Sequence, residues 1–251
     1  MNDRSDRGVG LSEITLQAPA ESSSGRPWSD PRLSGIAHRG FLGRLSPELI
    51  EELTRTARSA YYPKGTILAP ASDSGPALVV SGILRYFLSA GDGRQMTIRY
   101  VGPGDLVGTL VADPSNVKTH AEVLQPAVLL NLDLGDIRSL AARRPTFAEA
   151  LLDETVGRVR IAYRTLSASA FMGVRARVAR DLLERAKILG TPLRAGLHIE
   201  VTQQALADAT GSVREVVARA LRELREEKAI GPLGDGVTIL DFDALDRIAL
   251  V

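Results

Sequence analysis

Residues 201–221 read VTQQALADATGSVREVVARAL, and three of their side chains, Arg214, Glu215 and Arg219, are of types that can read a nucleic-acid base edge. A guanidinium can donate two parallel hydrogen bonds to O6 and N7 of guanine, and a carboxylate can accept from the N4 amine of cytosine. Each well-formed pair is worth about 1–3 kcal/mol of discrimination. Thr202, Gln204 and Ser212 are short polar groups suited to phosphate oxygens, contacts that set register without reading sequence. Plainer roles compete for the same residues. Glu215 stands three residues after Ser212 and could complete a capping box, while Arg219 and Arg222 could pair with Glu223 and Glu226 on a solvated helix face.

Such chemistry needs elements that aim it. Thr202 is placed to cap a short helix, Leu206 and Ala207 to face inward, and Gly211 to make the tight turn into a second helix. Val217 and Ala220 then bury the back of that second helix and leave Arg214, Glu215 and Arg219 on its front, near the end that enters a major groove. Beyond it, 230–240 reads as a tight hairpin, so residues 173–251 are expected to form a winged helix-turn-helix.

Upstream of this, Leu152, Val156, Val159, Tyr163 and Leu166 alternate spacings of four and three, one stripe along a helix expected over 146–172. A stripe that long and narrow suits pairing with the same helix of a second subunit. Packing across its own domain is the alternative. Residues 41–145 change texture to short apolar runs, Leu78–Val80, Ile83–Leu88, Met96–Val101 and Val128–Leu132, punctuated by glycines; an antiparallel roll or barrel is expected. Ser46, Pro47 and Glu48 mark a helix start ahead of it. Residues 1–40 are polar and rich in turn formers, and are read as a flexible tail.

Bulk properties narrow the chemistry further. The 251 residues carry a net charge of +1, so any nucleic-acid role must come from a local basic patch. The chain has no cysteine, which removes zinc-thiolate, iron-sulfur and disulfide chemistry and fits a reducing cytoplasm. No apolar run reaches the length of a membrane span. No nucleophile elbow, metal-ligand spacing or phosphate loop is present, so no enzymatic activity is expected. The rival from a different class is a ligand-binding module carrying an incidental helix-turn-helix.

The order of parts, together with Gly102-Pro103-Gly104-Asp105-Leu106-Val107-Gly108 and with Thr202, Gln204, Gly211, Arg214, Glu215 and Arg219, resembles the Crp/Fnr family of bacterial regulators. The resemblance spans Phe41 to Val251. It implies an α+β chain with an N-terminal cyclic-nucleotide-binding-type β-roll, a long dimerisation helix and a C-terminal winged helix-turn-helix. It further implies a homodimer on double-stranded DNA, with RNA polymerase as a partner. The Arg-Glu-three-residues-Arg arrangement is similar to that of members reading TGTGA-type half-sites. The effector pocket would involve Gly108, Thr109, Lys118, Thr119, His120 and Tyr163, yet these depart from the cyclic-AMP-binding pattern. Thr109 stands where a ribose-binding glutamate is found, Thr119-His120 where an Arg-Ser pair holds the phosphate, and Ala162-Tyr163 where a hydroxyl pair meets adenine. Lys118 could replace the arginine only by shifting one place. A phosphate buried without such donors is poorly compensated, so cyclic AMP is not expected to bind in the usual manner, and no other cofactor is implied. His38, His120 and His198 are the only histidines, and Arg85, Arg94 and Arg99 lie on or beside expected strands; none is given a role.

Overall fold

The computed structural model describes residues 21–23, 31–68, 75–90, 92–108, 119–189, 193–232 and 234–250. In chain order the elements are β1 (Glu21–Ser23), α1 (Pro31–Ile36), a 3-10 turn (Leu42–Arg44), α2 (Pro47–Thr54), β2 (Arg58–Tyr62), β3 (Ile67–Leu68), β4 (Ala77–Ser89), β5 (Gln95–Val101), β6 (Leu106–Val107) and β7 (Thr119–Asn131). There follow α3 (Leu134–Arg143), α4 (Pro145–Phe171), α5 (Val174–Leu189), β8 (Leu197–Ile199), α6 (Gln203–Thr210), α7 (Arg214–Glu226), β9 (Val237–Ile239) and α8 (Phe242–Ile248). The architecture is α+β, as expected.

The roll is one antiparallel sheet in the order β1-β2-β7-β4-β5, with β3 added to β7 and β6 to β4. Its spine is the β4–β7 pair, running from Ala77 opposite Asn131 to Leu88 opposite Thr119. The runs Leu78–Val80 and Ile83–Leu88, expected as separate strands, are one strand. Gly82 does not turn the chain; it sits at an irregularity in register with φ +88°, where an added Cβ would lie 2.5 Å from the Pro126 carbonyl oxygen. A glycine there lets a long strand coil without breaking its ladder.

Strand alternation divides the apolar residues between two cores. Ala77, Val79, Leu84, Val101, Val123 and Leu129 fill the roll interior, while Leu78, Val80, Leu106 and Leu130 face a helical layer that supplies Leu33, Phe41, Leu49, Leu53, Ile137 and Phe147. Ser46 caps α2 by accepting from the Leu49 amide at 3.4 Å, with Pro47 in its first turn. The flexible tail is corrected at its end. Residues 31–36 are helical and Leu33 is 1% exposed, because Leu33 and Ile36 fall on one helical face that closes the outer core; β1 also pairs with β2. A third core, around Leu182, Ile199, Leu206, Val217, Leu224, Ile239 and Leu245, belongs to the C-terminal domain.

The long helix α4 presents two faces. Phe147, Ala150, Glu154, Thr165 and Ala168 are buried. The stripe Leu152, Val156, Val159, Tyr163 and Leu166 is 63, 38, 47, 68 and 63% exposed. Packing of the stripe on its own roll, the alternative allowed by sequence, is therefore not what the chain does, since a different face of the helix performs that task.

Candidate nucleic-acid interface

The local signals of the helix-turn-helix are realised residue by residue. Thr202 is the N-cap of α6, its hydroxyl accepting from the Ala205 amide at 3.0 Å. Gly211 ends the helix in the left-handed region at φ 62°, ψ 35°. The Gly211 and Ser212 amides both turn back to the Ala207 carbonyl, a closure that favours glycine because a Cβ strains this conformation. Helix α7 then starts at Arg214, with Val213 as an N-cap that offers no side-chain bond. The capping-box role for Glu215 is excluded by this placement, because Ser212 lies one residue too early to cap.

Val217, Ala220, Leu221 and Leu224 are buried, and Arg214, Glu215, Arg219 and Arg222 are exposed on the opposite side. Among the described residues Arg214 and Glu215 make no hydrogen bond or ion pair. Arg219 does pair with Glu223 at 3.2 Å, with side chains 78% and 40% exposed, as the plainer reading anticipated. An exposed pair of this kind is worth about 1 kcal/mol or less, too little to hold Arg219 back from a better partner. The Arg222–Glu226 pair does not form. Of the three phosphate candidates, Thr202 is occupied as a cap and Gln204 donates to Asp208 at 2.8 Å; both remain exposed, while Ser212 is half-buried in the turn.

The expected hairpin is present, its backbone closed by Ile230 opposite Ile239 and by the Gly231 amide on the Thr238 carbonyl at 2.8 Å. Sequence did not reveal its third strand, β8, which pairs with β9. Beside the described part of the wing tip, His198 Nε2 lies 3.3 Å from Asp235 Oδ1. A cleft of about 430 Å³ separates the wing from α6 and α7, lined by Thr202, Gln204, Arg214 and Asp235 among others. The cap of one helix, the leading arginine of the next and the wing therefore share one concave face.

The residues expected at an effector pocket are not gathered in the same way. Thr109 and Lys118 lie outside the described residues. His120 is 6% exposed with its ring stacked on Phe87 at 5.3 Å, which makes it part of the packing. Tyr163 sits on the outward stripe of α4. Arg85, contrary to the usual wet-face habit of strand arginines, is buried and held by Glu122 and Gln95, whereas Arg94 is exposed and paired with Asp92.

The corner at Gly108 has partners that sequence alone did not suggest. Gly108 has φ +84°, its amide donates to the Tyr86 hydroxyl at 2.8 Å, and its carbonyl accepts from Arg158 of α4 at 2.8 Å. Arg158 also reaches the Leu106 carbonyl at 2.6 Å and Glu154 at 2.9 Å, and Arg99 joins from β5. Burial, reinforced by Arg158, pushes the Arg99 guanidinium down from its ordinary value, though a guanidinium stays charged at any physiological pH. The only local hint was Glu154 one turn before Arg158.

Fold and interface together define a class: a winged helix-turn-helix protein carrying an N-terminal roll of the cyclic-nucleotide-binding type. Residues 60–144 match the cyclic nucleotide-binding domain and residues 176–248 the Crp-like helix-turn-helix domain. The transcriptional regulator LdrP of Thermus thermophilus is 34% identical over 172 residues, covering 67% of this chain and 84% of that protein. A CRP-like cAMP-activated global transcriptional regulator of Mycobacterium tuberculosis is 29% identical over 219 residues, 85% of this chain and 98% of the relative. A solved regulator of the Crp/Fnr family from Eubacterium rectale superposes with a TM-score of 0.67 at 21% identity, over 85% of this chain and 99% of its own, and supports the fold alone. The chain belongs to the Crp/Fnr family of DNA-binding transcription regulators. Among the described residues no helix is long and apolar enough to cross a membrane.

Proposed function

We propose that the protein acts as a homodimer on near-palindromic duplex sites of the TGTGA type, with α4 as the dimer helix and one α7 entering each of two successive major grooves. The observation carrying this reading is the exposed, unpaired Arg214-Glu215 couple at the start of α7, with Arg219 on the same face. Half-sites would then lie about 34 Å apart. RNA polymerase is the expected further partner once the protein is seated at a promoter. In a gel-shift series, palindromes of this type should bind at least about a thousandfold more tightly than random duplex at moderate salt. Equal affinity for both would sink the reading.

The roll acts as an effector-sensing or scaffold domain and does not hold cyclic AMP by the usual contacts, even though relatives of Mycobacterium tuberculosis and Thermus thermophilus are named for cyclic AMP. Support comes from the sequence departures at Thr109, Thr119-His120 and Ala162-Tyr163, and from the commitment of Arg85 to Glu122 and Gln95. Titration calorimetry with cyclic AMP should show no saturable heat at micromolar protein. A stoichiometric isotherm with a dissociation constant in the micromolar range would overturn this part while leaving the DNA reading intact.

A further inference from the structure

A buried polar seam holds the C-terminal domain against the roll. Tyr100 on β5 donates its hydroxyl to Asp181 Oδ1 on α5 at 2.6 Å. The other oxygen of Asp181 accepts from Arg185 Nε at 2.7 Å, and the Arg185 guanidinium lies 4.9 Å from the centre of the Tyr100 ring. Asp181 and Arg185 are 7% and 5% exposed. Burial, with the Asp181 carboxylate acting in the same sense, raises the Tyr100 hydroxyl well above its ordinary value, so it remains a donor. The seam extends to the helix-turn-helix itself. Met96 of β5 forms an antiparallel bridge with Thr210, the last residue of α6, whose carbonyl accepts from Arg177 at 3.1 Å. Arg180 ties α5 to α4 through the Arg164 carbonyl at 2.9 Å and the Thr165 hydroxyl at 3.2 Å.

The covalent link between α4 and α5 is only Met172 and Gly173, the former extended and the latter with nothing within 4 Å of an added Cβ. Such a link permits many domain orientations, and a small rotation about it displaces α7 by a large distance. A buried ion pair adds little net stability over an apolar contact, but it penalises misregister, because a shifted dock leaves a hydroxyl or carboxylate dry and unpaired. The seam leaves Arg214, Glu215 and Arg219 uncovered. We infer that Tyr100, Asp181 and Arg185 are positioning residues for DNA recognition: by fixing the helix-turn-helix on the roll, they fix the separation of the two recognition helices and so set which half-site spacing is read. The inference rests on the homodimer reading above.

The test uses the full-length protein on a ladder of palindromes whose spacer is lengthened or shortened by one and two base pairs, each step rotating one half-site by about 34°. Wild type should show a sharp optimum. Tyr100→Phe, which removes one oxygen and keeps the ring, should flatten that optimum by about tenfold while leaving affinity for an isolated half-site unchanged. Asp181→Asn approaches the same seam from the other side and should do likewise, which guards against one variant failing to fold. A purely structural role for the seam would lower the melting temperature and leave the spacing optimum as sharp as in the wild type. That result, or a variant that binds its best site more tightly than wild type, overturns the inference. A wild type that binds specifically but without any spacing preference, or not at all, removes the homodimer reading and this one with it.

Discussion

Replacing Arg214 and Arg219 together by alanine is expected to lower affinity for the preferred palindrome by at least about a hundredfold, while binding to random duplex falls much less. The magnitude follows from chemistry that the site repeats twice. Each bidentate arginine–guanine pair discriminates by about 1–3 kcal/mol, and about 1.4 kcal/mol is a factor of ten. Two arginines in each of two subunits exceed two decades even at the low end. Neither side chain holds the fold by a bond that matters: among the described residues Arg214 makes no hydrogen bond or ion pair, and Arg219 loses only an exposed pair with Glu223. The double variant should therefore melt with the wild type, which separates loss of readout from loss of structure. Fluorescence anisotropy on specific and random duplex, at two salt concentrations, checks it. Equal losses on both duplexes would show that the arginines bind phosphates and that sequence is read elsewhere. Glu215→Ala alone should instead relax selectivity at one base position with little change in salt dependence.

These expectations could be framed from sequence because the helix-turn-helix is encoded locally. Thr202 as cap, Gly211 as a left-handed closure and the spacing of Leu206, Val217 and Ala220 all act within about four residues of the bonds they satisfy. The long helix was legible for the same reason, its stripe being a matter of periodicity. What was not legible is decided between distant segments. Arg85 could be given no role until Glu122 and Gln95, 37 and 10 positions away, were placed around it. Tyr100 and Asp181 are 81 apart, and neither carries a local mark of the other. Strand β8 is three residues whose partner lies across the whole recognition unit. The runs on either side of Gly82 were read as two strands because a positive φ serves a turn and a bulge equally well, and only the pairing of β4 with β7 distinguishes them. Leu33 and Ile36 were too few to outweigh their polar surroundings until Phe41 and Leu49 gave them a surface to cover.

The second large effect concerns the exposed stripe of α4. A charge introduced at its centre, Val159→Glu, should weaken subunit association by two decades or more. The stripe offers Leu152, Val156, Val159, Tyr163 and Leu166, and beyond it Phe171 is 84% exposed. Side chains of this size in a row are rarely left to water, because each is worth about 1.5–3 kcal/mol when fully buried. In a two-fold interface the same patch meets its own copy, so one substitution is present twice and the two carboxylates approach each other near the axis. Like charges so placed, together with their lost hydration, cost several kcal/mol, which is more than two factors of ten. The fold of each subunit should be spared, since Val159 is 47% exposed and α4 packs on the roll through Phe147, Ala150, Glu154, Thr165 and Ala168. Sedimentation equilibrium should then show dimers for the wild type and monomers for the variant, both with the same melting transition at low concentration. Because one recognition helix reads only one half-site, the variant should also lose the gain from a palindrome over a single half-site while keeping its affinity for the latter. A variant that still sediments as a dimer would move the interface away from this face of α4.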